Sequence, residues 1–133
     1  MAKAEIVRDA QGVFYGIRFK CPGCVYMDGS PMWETLPVNW LPPGETQESP
    51  HQQGKAHWGF DGNFDAPTFT PSINTWWGGE KYKNEDGTEY TPVPLHRCHS
   101  FIRAGRIQYL GDCTHALVNQ TVDLPVLQSI ATD

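Results

Sequence analysis

A chain of 133 residues with 39% hydrophobic side chains, 13 Gly and 11 Pro has the size of one domain and the composition of a turn-rich one with a thin core. Its formal net charge of -5, with no run of Lys or Arg, argues against nucleic acid as a partner, because nothing in it neutralises a row of phosphates. No apolar stretch approaches the ~20 residues of a bilayer span, and Met1-Ala2-Lys3-Ala4-Glu5 lacks the apolar block of a signal peptide. The expectation is one domain over residues 1–133, with no membrane partner, in the cytoplasm.

In chain order, Ala4 to Arg8 and Val13 to Phe19 read as a hairpin closed by Asp9-Ala10-Gln11-Gly12. Period two puts Val13, Tyr15, Ile17 and Phe19 on one face, and the second strand runs directly into Cys21. Residues 42–56 carry no large apolar side chain and read as a mobile loop. Asp61-Gly62-Asn63 signals a turn, and Thr68 and Thr70 alternate in a short strand that its prolines confine to an edge or an irregular position. Residues 78–94 are a second insertion, a loop or a small polar hairpin around Asn84-Glu85-Asp86-Gly87. Cys98 to Arg103 and Arg106 to Leu110 form a hairpin about Ala104-Gly105. Thr121 to Leu124 alternates as a strand, and Pro125 to Thr132 supports one helical turn or two. The expected fold class is mainly β: a small, zinc-stapled antiparallel sheet with hairpins, long loops and little helix.

In a reducing compartment four cysteines suit metal ligation better than disulfides. Cys21-Pro22-Gly23-Cys24 has the spacing that lets two thiolates bind one tetrahedral ion while backbone N–H groups of the knuckle point at sulfur. The other two ligands come from Cys98, His99, Cys113 and His115. With Ala104-Gly105 as a two-residue turn, Arg103 faces Arg106 and Cys98 lies opposite Gly111, near Cys113. Strand alternation then turns His99 to the opposite face unless a bulge intervenes. The favoured set is Cys21, Cys24, Cys98 and Cys113 as a closed structural Zn2+ site, with His99 or His115 as alternate ligands.

Standard catalytic signatures are missing: there is no H-E-x-x-H, no H-x-E with P-C-x-x-C, no G-x-S-x-G and no G-x-x-x-x-G-K. A hydrolase built on this sequence would use three protein ligands plus a zinc-bound water, with His99, Asp112 or His115 as the acid or base. Trp58, Asp61, Asn63 and Ser72 are the further groups such a site would draw on. Trp33, Trp40, Trp58, Trp76 and Trp77 mostly enlarge the core. One ring of the adjacent Trp76-Trp77 pair is left for the surface, because neighbouring strand residues face opposite sides.

The run from Cys98-His99-Ser100-Phe101 through Leu110-Gly111-Asp112-Cys113-Thr114-His115, with Gln120 to Pro125, Pro67 to Ile73 and Cys21-Pro22-Gly23-Cys24, resembles a family of small phage and prophage proteins often labelled ammonia monooxygenase. The resemblance covers most of the chain outside its two insertions. That label implies membrane subunits and copper, for which this chain has neither span nor ligand set. More distant relatives keep a cysteine-rich knuckle and a C-x-x-His-Phe strand, and some stand beside bacterial ubiquitin-like conjugation genes. Aligned on that strand, His99 takes the place of the family histidine and His96 that of its cysteine, which adds His96 to the alternate ligands. Two functions follow as expectations. The first is a non-enzymatic, phage-encoded zinc module in the host cytoplasm that binds a host or phage protein in host takeover or counter-defence. The second is a zinc-dependent peptidase acting on ubiquitin-like tags.

Overall fold

A computed structural model describes residues 1–128. Its strands in chain order are β1 (Glu5–Arg8), β2 (Phe14–Val25), β3 (Pro31–Leu36), β4 (Gly59–Phe60), β5 (Phe69–Trp77), β6 (Tyr82–Lys83), β7 (Glu89–Tyr90), β8 (His96–Arg103), β9 (Arg106–Tyr109) and β10 (Thr121–Asp123). They form three antiparallel sheets, ordered β1-β2-β3, β10-β9-β8-β5-β4 and β6-β7. Helix among the described residues is limited to one 3-10 turn, Pro50–Gln52, so the fold is mainly β. No helix among them is long and apolar enough to cross a membrane.

The first hairpin forms where the turn signal places it, but with a different inner face. Val7 pairs with Gly16 and Arg8 with Phe14, so Tyr15 is passed over. That bulge shifts the alternation by one, and Phe14 is buried together with Ile17 and Phe19 while Val13 and Tyr15 are half-buried. Gly16 approaches β3 so closely that a Cβ there would collide with the Leu36 carbonyl oxygen.

The two larger sheets share one apolar cluster, with Phe14, Ile17, Phe19 and Leu36 from the first and Phe69, Ile73, Ile102, Ile107 and Tyr109 from the second. Phe19 meets Phe69 at 5.7 Å between ring centroids, and Phe69 stacks on Phe60 at 5.2 Å. Trp40 closes one end of the cluster through edge contacts with Phe14, Phe60 and Phe64.

Residues 42–56, expected as a loop, make polar contacts with β1 and β2. Arg8 donates two hydrogen bonds to Glu45 at 2.6 and 2.9 Å, the Ser49 N–H donates to Phe14 O at 2.6 Å, and Gln52 Nε2 donates to Tyr15 O at 3.0 Å. Ser49 and Gln52 are buried. Low apolar content marks a loop, but it carries no information on hydrogen bonds to a neighbouring strand. The insertion at 78–94 contains the small hairpin β6–β7, whose strands are exposed.

β5 and β8 pair on both sides of a break, with Phe69 opposite Ile102 and Ile73 to Trp77 opposite Ser100 to His96. Between them Thr70-Pro71-Ser72 bulges out of the ladder, a place where a residue without an N–H fits. On its other edge β5 pairs with β4 only at Phe69 and Thr70. The β8–β9 hairpin has the register that the turn spacing requires, Arg103 opposite Arg106 and Ser100 opposite Tyr109, with Ala104 and Gly105 both at positive φ. The helical turn expected from Pro125 is not formed through Gln128. Instead the Leu127 N–H donates to Ala2 O at 2.7 Å, and the rest of that expected turn lies outside the described residues.

Two outcomes test this arrangement. Gly16→Ala should destabilise the protein by about 1–3 kcal/mol through the forced separation of β2 from β3; an unchanged urea midpoint would contradict the close approach. His57 Nε2 lies 2.7 Å from Glu48, and its pKa is raised first by that hydrogen bond. The pair therefore stabilises the fold below the ordinary histidine range and ceases to do so as pH rises through the raised value. Glu48→Gln should lower the melting temperature at about pH 5.5 and leave it nearly unchanged at about pH 9. Equal losses at both would remove the pair from the stability balance.

Candidate functional site

Alternation along β8 puts Cys98, Ser100 and Ile102 on its buried face and Arg97, His99 and Phe101 on the other. Cys98 and His99 are neighbours in sequence that face opposite sides. Each face carries its own cluster.

On the inner face the Cys21-Pro22-Gly23-Cys24 knuckle is looped out of the β2–β3 ladder, between the Cys21–Met32 and Val25–Pro31 pairs. Cys21 Sγ lies 3.2 Å from Cys24 Sγ and 3.8 Å from Cys98 Sγ, and all three thiols are buried. Sulfurs held at 2.3 Å from one tetrahedral ion are about 3.8 Å apart, so the spacing fits a metal with small adjustments. The Tyr109 hydroxyl sits 3.2 Å from Cys21 Sγ and accepts from the Gly23 N–H at 2.8 Å. Cys21 is pulled far below the ordinary thiol range, first by its hydrogen bond with Cys24 and then by that with Cys98. Cys24 and Cys98 are pushed up, each first by the bond to Cys21. A cation bound among them would let all three thiols ionise. The Glu34 carboxyl is pushed up to about 7, by burial first and by Cys21 second.

Two imidazoles border the thiols. His96 Nε2 is 3.3 Å from Cys24 Sγ, and its ring stacks on Trp77 at 4.0 Å between centroids. His115 lies across the knuckle, where a Cβ on Gly23 would fall 2.6 Å from both ring nitrogens; glycine is the residue that leaves room for the ring. The Leu117 N–H donates to His115 Nδ1 at 3.2 Å, and Nε2 is buried without a partner. Burial lowers the pKa of both rings, which favours the neutral, ligating form. The ligand atoms of Cys21, Cys24 and Cys98 lie within 4.8 Å of one another, as do those of Cys98, Cys113 and His115. This cluster has the donors to hold a metal ion.

On the outer face His99 Nδ1 lies 3.2 and 3.1 Å from the two carboxylate oxygens of Asp112, and Nε2 lies 3.1 Å from Ser72 Oγ. An ionised carboxylate only accepts, so these partners assign the proton to Nδ1 and leave Nε2 to accept from the Ser72 hydroxyl. Nucleophile, base and orienting carboxylate stand in line. Ser72 comes from the β5 bulge, where its carbonyl accepts from Trp58 Nε1 at 3.2 Å. Asp112 comes from a turn after β9, closed by the Cys113 N–H to Leu110 O at 3.2 Å. The His99 and Asp112 side chains remain 25% and 44% exposed, so a substrate can reach them.

Of the residues singled out in the sequence, Cys21, Cys24 and Cys98 come together, with His96 and His115 at their border. Cys113 lies against the backbone of His99, with its ligand atom also within 4.8 Å of those of Cys98 and His115. His99 and Asp112 meet on the outer face, while His115 stays with the thiols. Asp61 and Asn63 serve the backbone instead: Asp61 accepts from the N–H groups of Asn63 and Thr68, and Asn63 from those of Asp65 and Ala66. Ser72 figures in the sequence only as a neighbour, because no G-x-S-x-G surrounds it. The available signal was a serine after a proline in a strand, which marks a bulge able to re-aim a side chain.

No curated protein and no solved structure matches the chain. A family model does match residues 2–110, a span that contains the knuckle, Ser72, Cys98 and His99 and ends two residues before Asp112. The chain belongs to the family of that model, the bacterial ubiquitination-like system serine protease (BubE).

Proposed function

We propose that the protein is a serine hydrolase that cleaves the acyl bond at the C-terminal carbonyl of a ubiquitin-like tag. The observation that carries this is the Ser72–His99–Asp112 line, with Nε2 3.1 Å from Oγ. The family description, which names a serine protease of a ubiquitination-like system, supports both the nucleophile and the substrate class.

Ser72 Oγ attacks the scissile carbonyl carbon while His99 Nε2 takes its proton. Asp112 holds Nδ1–H and offsets the charge of the imidazolium that forms. When the tetrahedral adduct collapses, the bond to the leaving amine or alcohol breaks and Nε2–H supplies the leaving group's proton. Water then repeats the sequence on the acyl-Ser72 ester: Nε2 takes a proton from water, the C–O bond to Ser72 breaks, and the proton returns to Oγ.

The thiols form a second centre with a structural task, a zinc ion held by Cys21, Cys24, Cys98 and one imidazole from His96 or His115. Buried sulfur donors suit zinc in a closed, four-ligand site, which would fasten the knuckle of β2 to β8. Hydrolysis by a zinc-bound water is therefore not invoked. The interaction-module reading accounts for the thiols but leaves the Ser72–His99–Asp112 line without a task.

Ser72→Ala should lower kcat toward a p-nitrophenyl ester by on the order of 10³-fold or more and abolish labelling by a fluorophosphonate; a variant as fast as the parent would sink the nucleophile assignment. The purified protein should carry about one zinc per chain by elemental analysis. Cys24→Ser should release it and lower the melting temperature. Full zinc content with unchanged melting would take Cys24 out of the centre.

A further inference from the structure

We infer that Cys113 is a positioning residue for the base, resting on the assignment of His99 as that base. Its Sγ accepts from the His99 N–H at 3.2 Å and donates to His99 O at 3.2 Å. One thiol thus satisfies both backbone polar groups of the residue whose ring faces Ser72.

The need for such a clasp follows from the topology. The β8–β9 ladder ends at Ser100–Tyr109, one residue short of His99. Beyond that point His99 has no strand partner on the β9 side. Leu110 N–H reaches His99 O at 2.9 Å, and the Cys113 thiol takes the N–H that β9 leaves over. A buried N–H without an acceptor is costly, and Cys113 is only 8% exposed. One position further along, Thr114 N–H donates to Arg97 O at 3.0 Å and Thr114 Oγ1 accepts from the Arg97 N–H at 2.8 Å. Residues 110–114 therefore continue the sheet with side chains where β9 has run out.

Asp112 sits at the crest of the same turn. Its carboxylate holds the His99 ring while the next residue holds the His99 backbone, so ring and main chain are fixed by adjacent positions. Misplacement of a base by a fraction of an ångström suffices to slow proton transfer. Serine can make both Cys113 hydrogen bonds, whereas alanine can make neither. In this role Cys113 acts through its thiol; its Sγ also lies within 4.8 Å of the Cys98 and His115 ligand atoms, and the zinc content of the alanine variant separates the two roles.

The experiment compares the full-length parent with Cys113→Ala, Cys113→Ser and Ser72→Ala, reading p-nitrophenyl ester hydrolysis, fluorophosphonate labelling and zinc content. Cys113→Ala should keep the zinc of the parent and its KM, lose on the order of 10–100-fold in kcat, and label Ser72 correspondingly slowly. Cys113→Ser should recover most of that loss. Zinc loss in Cys113→Ala, a kcat equal to the parent's, or a serine variant as slow as the alanine one would each overturn the assignment. Cys113→Val, which keeps the volume and removes both hydrogen bonds, replaces the alanine variant if the latter does not fold. If Ser72→Ala hydrolyses like the parent, the catalytic reading fails and takes this one with it. An inactive Ser72→Ala beside an unaffected Cys113→Ala removes the positioning role alone.

Discussion

Adjacent residues of an extended strand point to opposite faces, and the arrangement of both clusters depends on that constraint at Cys98 and His99. The inner residue joins three buried sulfurs, while the outer one stands between Ser72 and Asp112. Neither cluster is local in sequence. The inner one draws on β2 and β8, and the outer one on β5, β8 and the turn after β9. One strand in the middle of its sheet is the shared member, which suits precise placement better than a loop would.

The division of labour resolves a tension in the residue inventory. Cysteines and histidines close together suggest that metal and chemistry coincide. Here the thiols are buried beneath the sheet, and the solvent-accessible groups on the far side are a hydroxyl, an imidazole and a carboxylate. Sulfur-rich donor sets are typical of closed structural zinc sites, and a hydroxyl, an imidazole and a carboxylate in line are the groups that acyl transfer uses. Family membership agrees with the exposed side.

Short-range signals were legible in the sequence. The register of the β8–β9 hairpin follows from two turn residues, and with it the separation of Cys98 from His99. The knuckle announces itself by spacing. What could not be read depends on interruptions of regular pairing. The bulge opposite Val7 and Arg8 exchanges Tyr15 for Phe14 in the core, because a one-residue shift moves a side chain to the other face. The bulge at Thr70-Pro71-Ser72 turns a serine toward a histidine that is its neighbour only across the sheet. The 42–56 segment is held by hydrogen bonds to backbone carbonyls of β2, partners that leave no trace in composition. His115 over Gly23 belongs to the same class, since a glycine between two cysteines reads as turn chemistry until the ring above it is seen.

The distance between the two halves of the thiol cluster also governs how the protein is made. Cys24 and Cys98 are 98 - 24 = 74 positions apart, so a growing chain presents the knuckle long before the strand that completes it. Closing so long a loop is entropically expensive and slow, and an ion captured at its end would act as the latch. Cys98 and His99 arrive together on β8, so the strand that completes the thiol cluster also carries the imidazole that meets Ser72 and Asp112.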